Sequence, residues 1–230
     1  MEEKDLITEQ IAYYRARASE YDEWHQRLGR YDRGEEHRQE WFQELDVVRK
    51  VLAEYAPYGT ALELACGTGL WTRYLADCAT SLTAIDAVQE TIEINRQTTK
   101  GLKVDYQIAD IFEWKADREY DFIFFGFWLS HVPTNRFVEF WNNISRTLKN
   151  SGYVFFVDSL PTQESTAIDH TDIDSSGIVE RKLNDGSIFH IVKRFYDLSI
   201  LKENMANLGW DCELMTTGQF FIYGILRKQN

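Results

Sequence analysis

The chain has 230 residues, 44% of them hydrophobic and 14% aromatic, and carries a formal net charge of −12. That length builds one sizeable domain, and that apolar content excludes a disordered polymer. The acidic balance argues against a nucleic-acid or anionic-membrane surface, because phosphate binding needs a basic face.

The three cysteines, Cys66, Cys78 and Cys212, show no CxxC or zinc spacing, and an odd number suits a reducing compartment. No bound metal is therefore expected. The opening Met1-Glu-Glu-Lys-Asp5 lacks the basic and apolar regions of a signal peptide. No run approaches the roughly 18 apolar residues of a membrane span. The expectation is a cytoplasmic protein.

In chain order, residues 6–28 read as an aromatic and arginine-rich helix, with Tyr13, Tyr14, Arg17, Tyr21 and Trp24 at three- and four-residue spacing. Residues 29–36 form a polar break. A helix over 38–56 is stopped by Pro57 and Gly59. Strands and helices then alternate: strands at 61–65, 81–86, 103–108, 120–126 and 153–158, helices at 69–78, 88–99 and 134–149. The strands are continuous apolar runs, such as Phe122-Ile-Phe-Phe125, as expected where both sheet faces are covered. Alternation of this kind predicts an α/β, doubly wound, mostly parallel sheet.

The last part departs from that alternation. Residues 178–195 read as a β-hairpin around Asn184-Asp-Gly186, 197–208 as a helix ending before Gly209, and 211–217 with 219–227 as a terminal hairpin.

The chemistry concentrates in Ala61-Leu-Glu-Leu-Ala-Cys-Gly-Thr-Gly69, a strand running into a glycine-rich turn and a helix start. A second strand ends on Asp86, nineteen residues after Gly67. Glycines let backbone approach a ligand, and an acid at the next strand tip takes ribose hydroxyls, so the pattern holds a nucleoside-type cofactor. A nicotinamide fingerprint would place a third glycine at position 72, where Thr72 stands. That absence and the terminal antiparallel pair both disfavour hydride transfer.

Glu63-x-Ala-Cys-Gly67-Thr-Gly69 resembles the first motif of class I S-adenosylmethionine-dependent methyltransferases, with Ala65 where glycine is usual. The likeness extends to Tyr13-Tyr-Arg-Ala-Arg-Ala-Ser-Glu-Tyr-Asp22, Trp128-Leu-x-His131-Val-Pro133 and Leu183-x-Asp-Gly-x-x-Phe-x-Ile-Val-Lys193. These segments resemble a group of small bacterial O-methyltransferases of that class that includes a phosphonate O-methyltransferase. The resemblance implies a seven-stranded Rossmann-like sheet with an antiparallel C-terminal hairpin. It implies a single domain over 1–230, with 1–36 covering the cofactor and 160–196 forming a substrate lid. The cofactor implied is S-adenosyl-L-methionine, leaving as S-adenosyl-L-homocysteine.

By the same resemblance Glu63, Ala65, Gly67 and Gly69 surround the methionine part, Asp86 with Ala87 holds the ribose, and Asp110 with Ile111 lies beside the adenine. Phe127 and Trp128 line the pocket near the sulfur, Trp128 also as a candidate acceptor contact. Tyr14 and Tyr21 either touch the carboxylate end of the cofactor or pack as an aromatic face.

The acceptor site is read from the hairpin. A three-residue Asn184-Asp-Gly186 loop with Gly186 left-handed pairs Leu183 with Ser187 and Arg181 with Phe189. Arg181, Phe189, Ile191 and Lys193 then share a face. The two cations form either an anion site or a solvated pair. By the resemblance to the phosphonate O-methyltransferase, the positions matching Arg181 and Lys193 bind the acid group together with a tyrosine, best matched here by Tyr31. His131, just after the fourth strand, is the candidate catalytic base if the acceptor needs one; it can equally hold the loop. His170 and His190 have weaker claims. The expected activity is O-methylation of a small anionic acceptor, a phosphonate or carboxylate of natural-product metabolism. N-methylation of a small amine or amino acid, and a silent cofactor-binding domain, stand as alternatives. Oligomeric state is not legible.

Overall fold

The structure is a computed structural model that describes residues 3–168 and 176–229. His170 and part of the expected lid lie outside them. Among the described residues no helix is long and apolar enough to cross a membrane.

Seven strands form one sheet: β1 (Thr60–Leu64), β2 (Ser81–Asp86), β3 (Val104–Ile108), β4 (Tyr120–Gly126), β5 (Leu148–Ser159), β8 (Trp210–Thr216) and β9 (Phe221–Lys228), in the order β3-β2-β1-β4-β5-β9-β8. The first five run parallel, whereas β9 pairs antiparallel with β5 and with β8. Side-chain alternation splits the core into two layers. Ile123, Phe125 and Phe156 face α6 (Phe137–Thr147) and α7 (Leu198–Asn207). Phe122, Phe124 and Phe155 face Trp41, Leu45 and Val48 of α3 (Glu35–Glu54). The remaining crossover helices are α4 (Thr72–Cys78) and α5 (Gln89–Thr98).

The sheet's strand order reverses between β1 and β4, so their C-terminal ends open a crevice there. What covers it comes from both ends of the sequence. The expected helix 6–28 is two helices, α1 (Glu3–Arg17) and α2 (Tyr21–Gln26), parted by a turn at 18–20 in which the Glu20 N–H donates to the Arg17 carbonyl at 2.9 Å. The hairpin β6 (Ile178–Lys182) and β7 (Ile188–Val192) has the register expected from its turn chemistry. Arg181 pairs with Phe189, the Leu183 N–H donates to the Ser187 carbonyl at 2.9 Å, and Gly186 is left-handed at φ +89°. The expected helix 134–149 ends at Thr147, because Leu148 already pairs with Tyr120 in the sheet.

Helix α1 and β7 are tied by side chains that complete backbone hydrogen bonds. The His190 N–H donates to Glu9 Oε1 at 2.7 Å and the Val192 N–H to Gln10 Oε1 at 3.0 Å. The hairpin turn is held in the same way: the Asn184 N–H reaches Glu20, its side-chain amide reaches Glu23, and Arg30 donates to the Lys182 carbonyl. The strap and the hairpin therefore form one cover over the strand tips.

Candidate active site

Two cavities adjoin beneath that cover. The first encloses about 690 Å³, including space open to solvent, above the C-terminal ends of β1, β2 and β4. Its glycine-rich floor is set by backbone strain and by one carboxylate. Ala65 sits at φ +51° and Gly67 at φ +51°. The Ala65 side chain tolerates a conformation that glycine adopts freely, at a cost of about 1 kcal/mol. A Cβ on Gly67 would meet nothing within 4 Å, so the turn presents bare backbone to the cavity. Asp86 accepts from the Gly67 N–H through one oxygen and from the Val88 N–H through the other, both at 2.9 Å. Burial pushes its pKa up, opposed by these N–H donors.

Of the expected cofactor residues, Tyr14, Tyr21, Ala65, Gly67, Asp86 and Ala87 line this cavity, as do Asp110, Ile111 and Phe127. Asp110 accepts from the Phe112 N–H at 2.9 Å and so shapes its own loop. Gly69 and Glu63 do not reach the cavity. Gly69 lies under α5, where a Cβ would come within 2.6 Å of Asn95 Oδ1 and 2.7 Å of Thr98 Oγ1. Glu63 lies in the middle of β1, on the opposite face from Leu62 and Leu64. There it is 2% exposed, one oxygen has no hydrogen-bond partner, and burial pushes its pKa up to about 8. Trp128 lines this first cavity rather than the second, and its indole N–H is buried without a partner. Sequence reasoning missed Asn95, whose side-chain N–H donates to the carbonyls of Cys66 and Gly67 and to Thr72 Oγ1, bracing the turn from below.

The second cavity encloses about 580 Å³, and it is here that Tyr31, His131, Arg181 and Lys193 converge. Tyr14, Tyr21 and Phe127 line both cavities and form the wall between them. Phe127 holds that place at φ +57°, a costly conformation for a large side chain. Arg181 is 6% exposed, and its only hydrogen bond among the described residues goes from Nη1 to the adjacent Glu180 carbonyl. Burial pulls its pKa down. Lys193 Nζ donates to Ser130 Oγ at 2.8 Å and stands 3.6 Å from Asp158 Oδ1. Burial lowers the lysine pKa, with Asp158 opposing and Arg181 reinforcing the fall. His131 Nδ1 meets the Val192 carbonyl at 2.6 Å and Nε2 meets the Tyr14 hydroxyl at 2.9 Å. Burial holds its pKa well below the ordinary value.

Arg17 also lines the second cavity; the sequence placed it on the N-terminal aromatic face and not among the site residues. The tyrosine ladder around it was visible, but the direction of the arginine depends on the turn at 18–20.

The donor set of the first cavity fits a nucleoside cofactor with an aminoacyl arm. Asp86 has lone pairs left beyond its two backbone bonds, the Gly67 backbone is open, and the Trp128 N–H lacks a partner. Among the described residues no group of acids, histidines and cysteines can hold a metal.

Comparison with known proteins places the geometry. Residues 61–152 match the methyltransferase domain family. Over 99% of its length the chain is 33% identical to the DhpI–SAH complex, with 99% of that chain covered and a TM-score of 0.80. The DhpI–SAM–HEP complex is 35% identical over 99% of this chain and 100% of that one, with a TM-score of 0.82. The N-methyltransferase NodS from Bradyrhizobium japonicum WM9, in complex with S-adenosyl-L-homocysteine, shares the fold at a TM-score of 0.64 and 15% identity, over 96% of this chain and 100% of that chain. No sequence among curated proteins matches the chain.

Proposed function

The chain belongs to the class I S-adenosylmethionine-dependent methyltransferases, and from that premise we propose that it transfers a methyl group to an oxygen of a small anionic acceptor, a phosphonate or a carboxylate. One observation carries the reading. Arg181 and Lys193 turn their charges from one hairpin face into the cavity behind the Tyr14–Tyr21–Phe127 wall, where Asp158 is the only carboxylate paired with them among the described residues. Buried cations without matching carboxylates favour an incoming anion.

When bound, S-adenosylmethionine supplies an electrophilic methyl on a sulfonium. The chain's own residues then have three tasks. Gly67 backbone, Asp86 and Asp110 would hold the nucleoside, and Tyr14, Tyr21 and Phe127, which line both cavities, would separate it from the acceptor. Arg181, with its planar fork, and Lys193, as a point charge, orient the acceptor. Holding an oxygen within roughly 3–3.5 Å of the methyl, in line, provides most of the acceleration.

No residue needs to take a proton from such an acceptor, which is already ionised at neutral pH. His131 is instead a positioning residue. Its Nδ1–H donates to a carbonyl and its Nε2 accepts from Tyr14, so it fixes the phenol in the dividing wall. The second cavity is not filled by the chain's own side chains, which favours an enzyme over a silent binding domain.

The test incubates purified protein and methyl-labelled S-adenosylmethionine with a panel of phosphonates, carboxylic acids, phenols and amines. Label is expected on phosphonate or carboxylate oxygen. Transfer confined to amines or phenols would overturn the acceptor assignment, and no transfer to any class would favour a silent domain.

A further inference from the structure

The second cavity contains a third cation, Arg17, whose surroundings differ from those of Arg15 and Arg27. Arg15, two residues earlier, pairs with Glu90 at 3.5 Å on the exposed side of α1. Arg27, fully buried, spends its donors on the carbonyls of Glu164 and Ser165 and lies 4.3 Å over Trp41; it is a strut. Arg17 has neither kind of partner. Its one hydrogen bond among the described residues runs from Nη2 to the Tyr31 hydroxyl at 3.1 Å. Its guanidinium stands 5.0 Å from the Tyr21 ring centre, 5.6 Å from Tyr13 and 5.9 Å from Tyr31. Three rings surround the charge, and a single hydrogen bond among the described residues uses one of its five N–H donors, at the cavity that Arg17 lines.

The charges in that cavity are therefore Arg17, Arg181 and Lys193 against the single carboxylate of Asp158. Arg181 and Lys193 alone, less Asp158, leave one positive charge to be met. With Arg17 there are two. We propose that Arg17 is a specificity-determining residue that makes this cavity select acceptors carrying two negative charges over those carrying one.

The inference rests on the anionic-acceptor reading and adds a charge count to it. In the transfer an acceptor oxygen donates a lone pair to the methyl carbon, an O–C bond forms, and the C–S bond breaks with its electron pair staying on sulfur. The sulfonium becomes a neutral thioether, and the acceptor loses one negative charge. Total charge is conserved, and no proton moves. The product is then the species a doubly positive cavity holds less well, so the same arrangement that draws the acceptor in favours release of its ester.

The test uses two probes of nearly equal shape, ethylphosphonate and its monomethyl ester, at mildly alkaline pH where the first carries two charges and the second one. Binding to the full chain saturated with S-adenosyl-L-homocysteine is measured by calorimetry for wild type, Arg17→Gln, Arg17→Lys and Arg181→Gln. Wild type is expected to prefer the doubly charged probe by at least about tenfold. Arg17→Gln should weaken that probe by about tenfold and the ester by no more than about threefold, cutting a tenfold preference to about threefold or less. Arg17→Lys, which restores the charge without the fork, should recover part of it. Equal loss for both probes, or none for either, overturns the inference. So does a loss confined to S-adenosyl-L-homocysteine affinity, which would put Arg17 on the cofactor. If wild type and Arg181→Gln both bind neither probe, the anionic-acceptor reading itself fails and the charge count fails with it. Normal probe binding that depends on Arg181 but not on Arg17 sinks the charge count alone.

Discussion

Tyr14 donates its phenol proton to Nε2 of His131 across 2.9 Å, at the wall between the two cavities. The tautomer follows from the other side of the ring. The Val192 carbonyl at 2.6 Å can only accept, so the imidazole proton sits on Nδ1 and the lone pair on Nε2. Burial, with the charge of Lys193 next in weight, keeps the ring neutral.

That neutrality has a pH signature in stability. The folded pKa of His131 lies well below its unfolded value of about 6.5. As pH falls through about 6.5 the unfolded chain takes up a proton that the folded one refuses, so stability is lost on acidification. His25, lowered to about 4 by burial, has the same sign. His131→Asn should therefore lose less Tm than wild type between neutral and mildly acidic pH, while keeping the part due to His25. Identical slopes would show that His131 is charged in the fold.

A base and a positioning residue differ in rate. With a phosphonate or carboxylate acceptor, His131→Ala should keep kcat within about tenfold of wild type, whereas general-base catalysis contributes roughly 10²–10⁴. Single-turnover rates decide the matter, and a loss of several hundredfold would mean a proton is being removed.

Asp86 serves both ligand and turn. Asp86→Ala removes the acceptor for the Gly67 and Val88 N–H groups as well as the proposed ribose contact. Affinity for S-adenosylmethionine should drop tenfold or more, on the order of 1.4 kcal/mol. Unchanged calorimetric affinity would remove the ribose from this strand tip.

Arg181→Ala and Lys193→Ala should each raise acceptor KM by about tenfold or more while leaving cofactor affinity within about threefold. The lysine variant also leaves Asp158 buried without its cation, at 1% exposure, so thermal stability should fall with it. Normal acceptor saturation in both variants would place the anion elsewhere.

The sequence made much of the fold legible because its signals are local. Phe122-Ile-Phe-Phe125 reads as a buried strand by its shortness and its place in the alternation, and the Asn184-Asp-Gly186 turn sets the hairpin register that puts Arg181 opposite Phe189. The site was legible where a motif names atoms, as at Gly67 and Asp86. It was not legible where position depends on distant packing. Gly69 looked like a ligand contact, yet it is needed because Asn95 and Thr98 approach its Cα. Glu63 belongs to the motif, yet strand alternation turns it away from the cavity. Trp128, a candidate acceptor contact, lines only the first cavity, and the place of Arg17 at the second emerged only with the turn at 18–20.

Glu63 offers the opposite pH test. Burial holds its proton until about pH 8, whereas the unfolded carboxyl releases it near the ordinary value of about 4.5. Stability should fall as pH rises across that window. Glu63→Gln cannot ionise, so its Tm should gain on wild type from mildly acidic pH up to about 8, by at most a few kcal/mol of stability. Parallel Tm curves would show that the carboxylate is charged in the fold.

The ties between α1 and β7 join residues far apart in the chain: Gln10 and Val192 are separated by 182 positions. Neither partner belongs to the seven-stranded sheet, which closes its own hydrogen bonds without them. The cover is made from two distant stretches of sequence that brace one another, and its opening as one piece while the sheet stays native is the expected motion. Amide protons of His190 and Val192 should exchange in step with those of α1 and faster than those of β4.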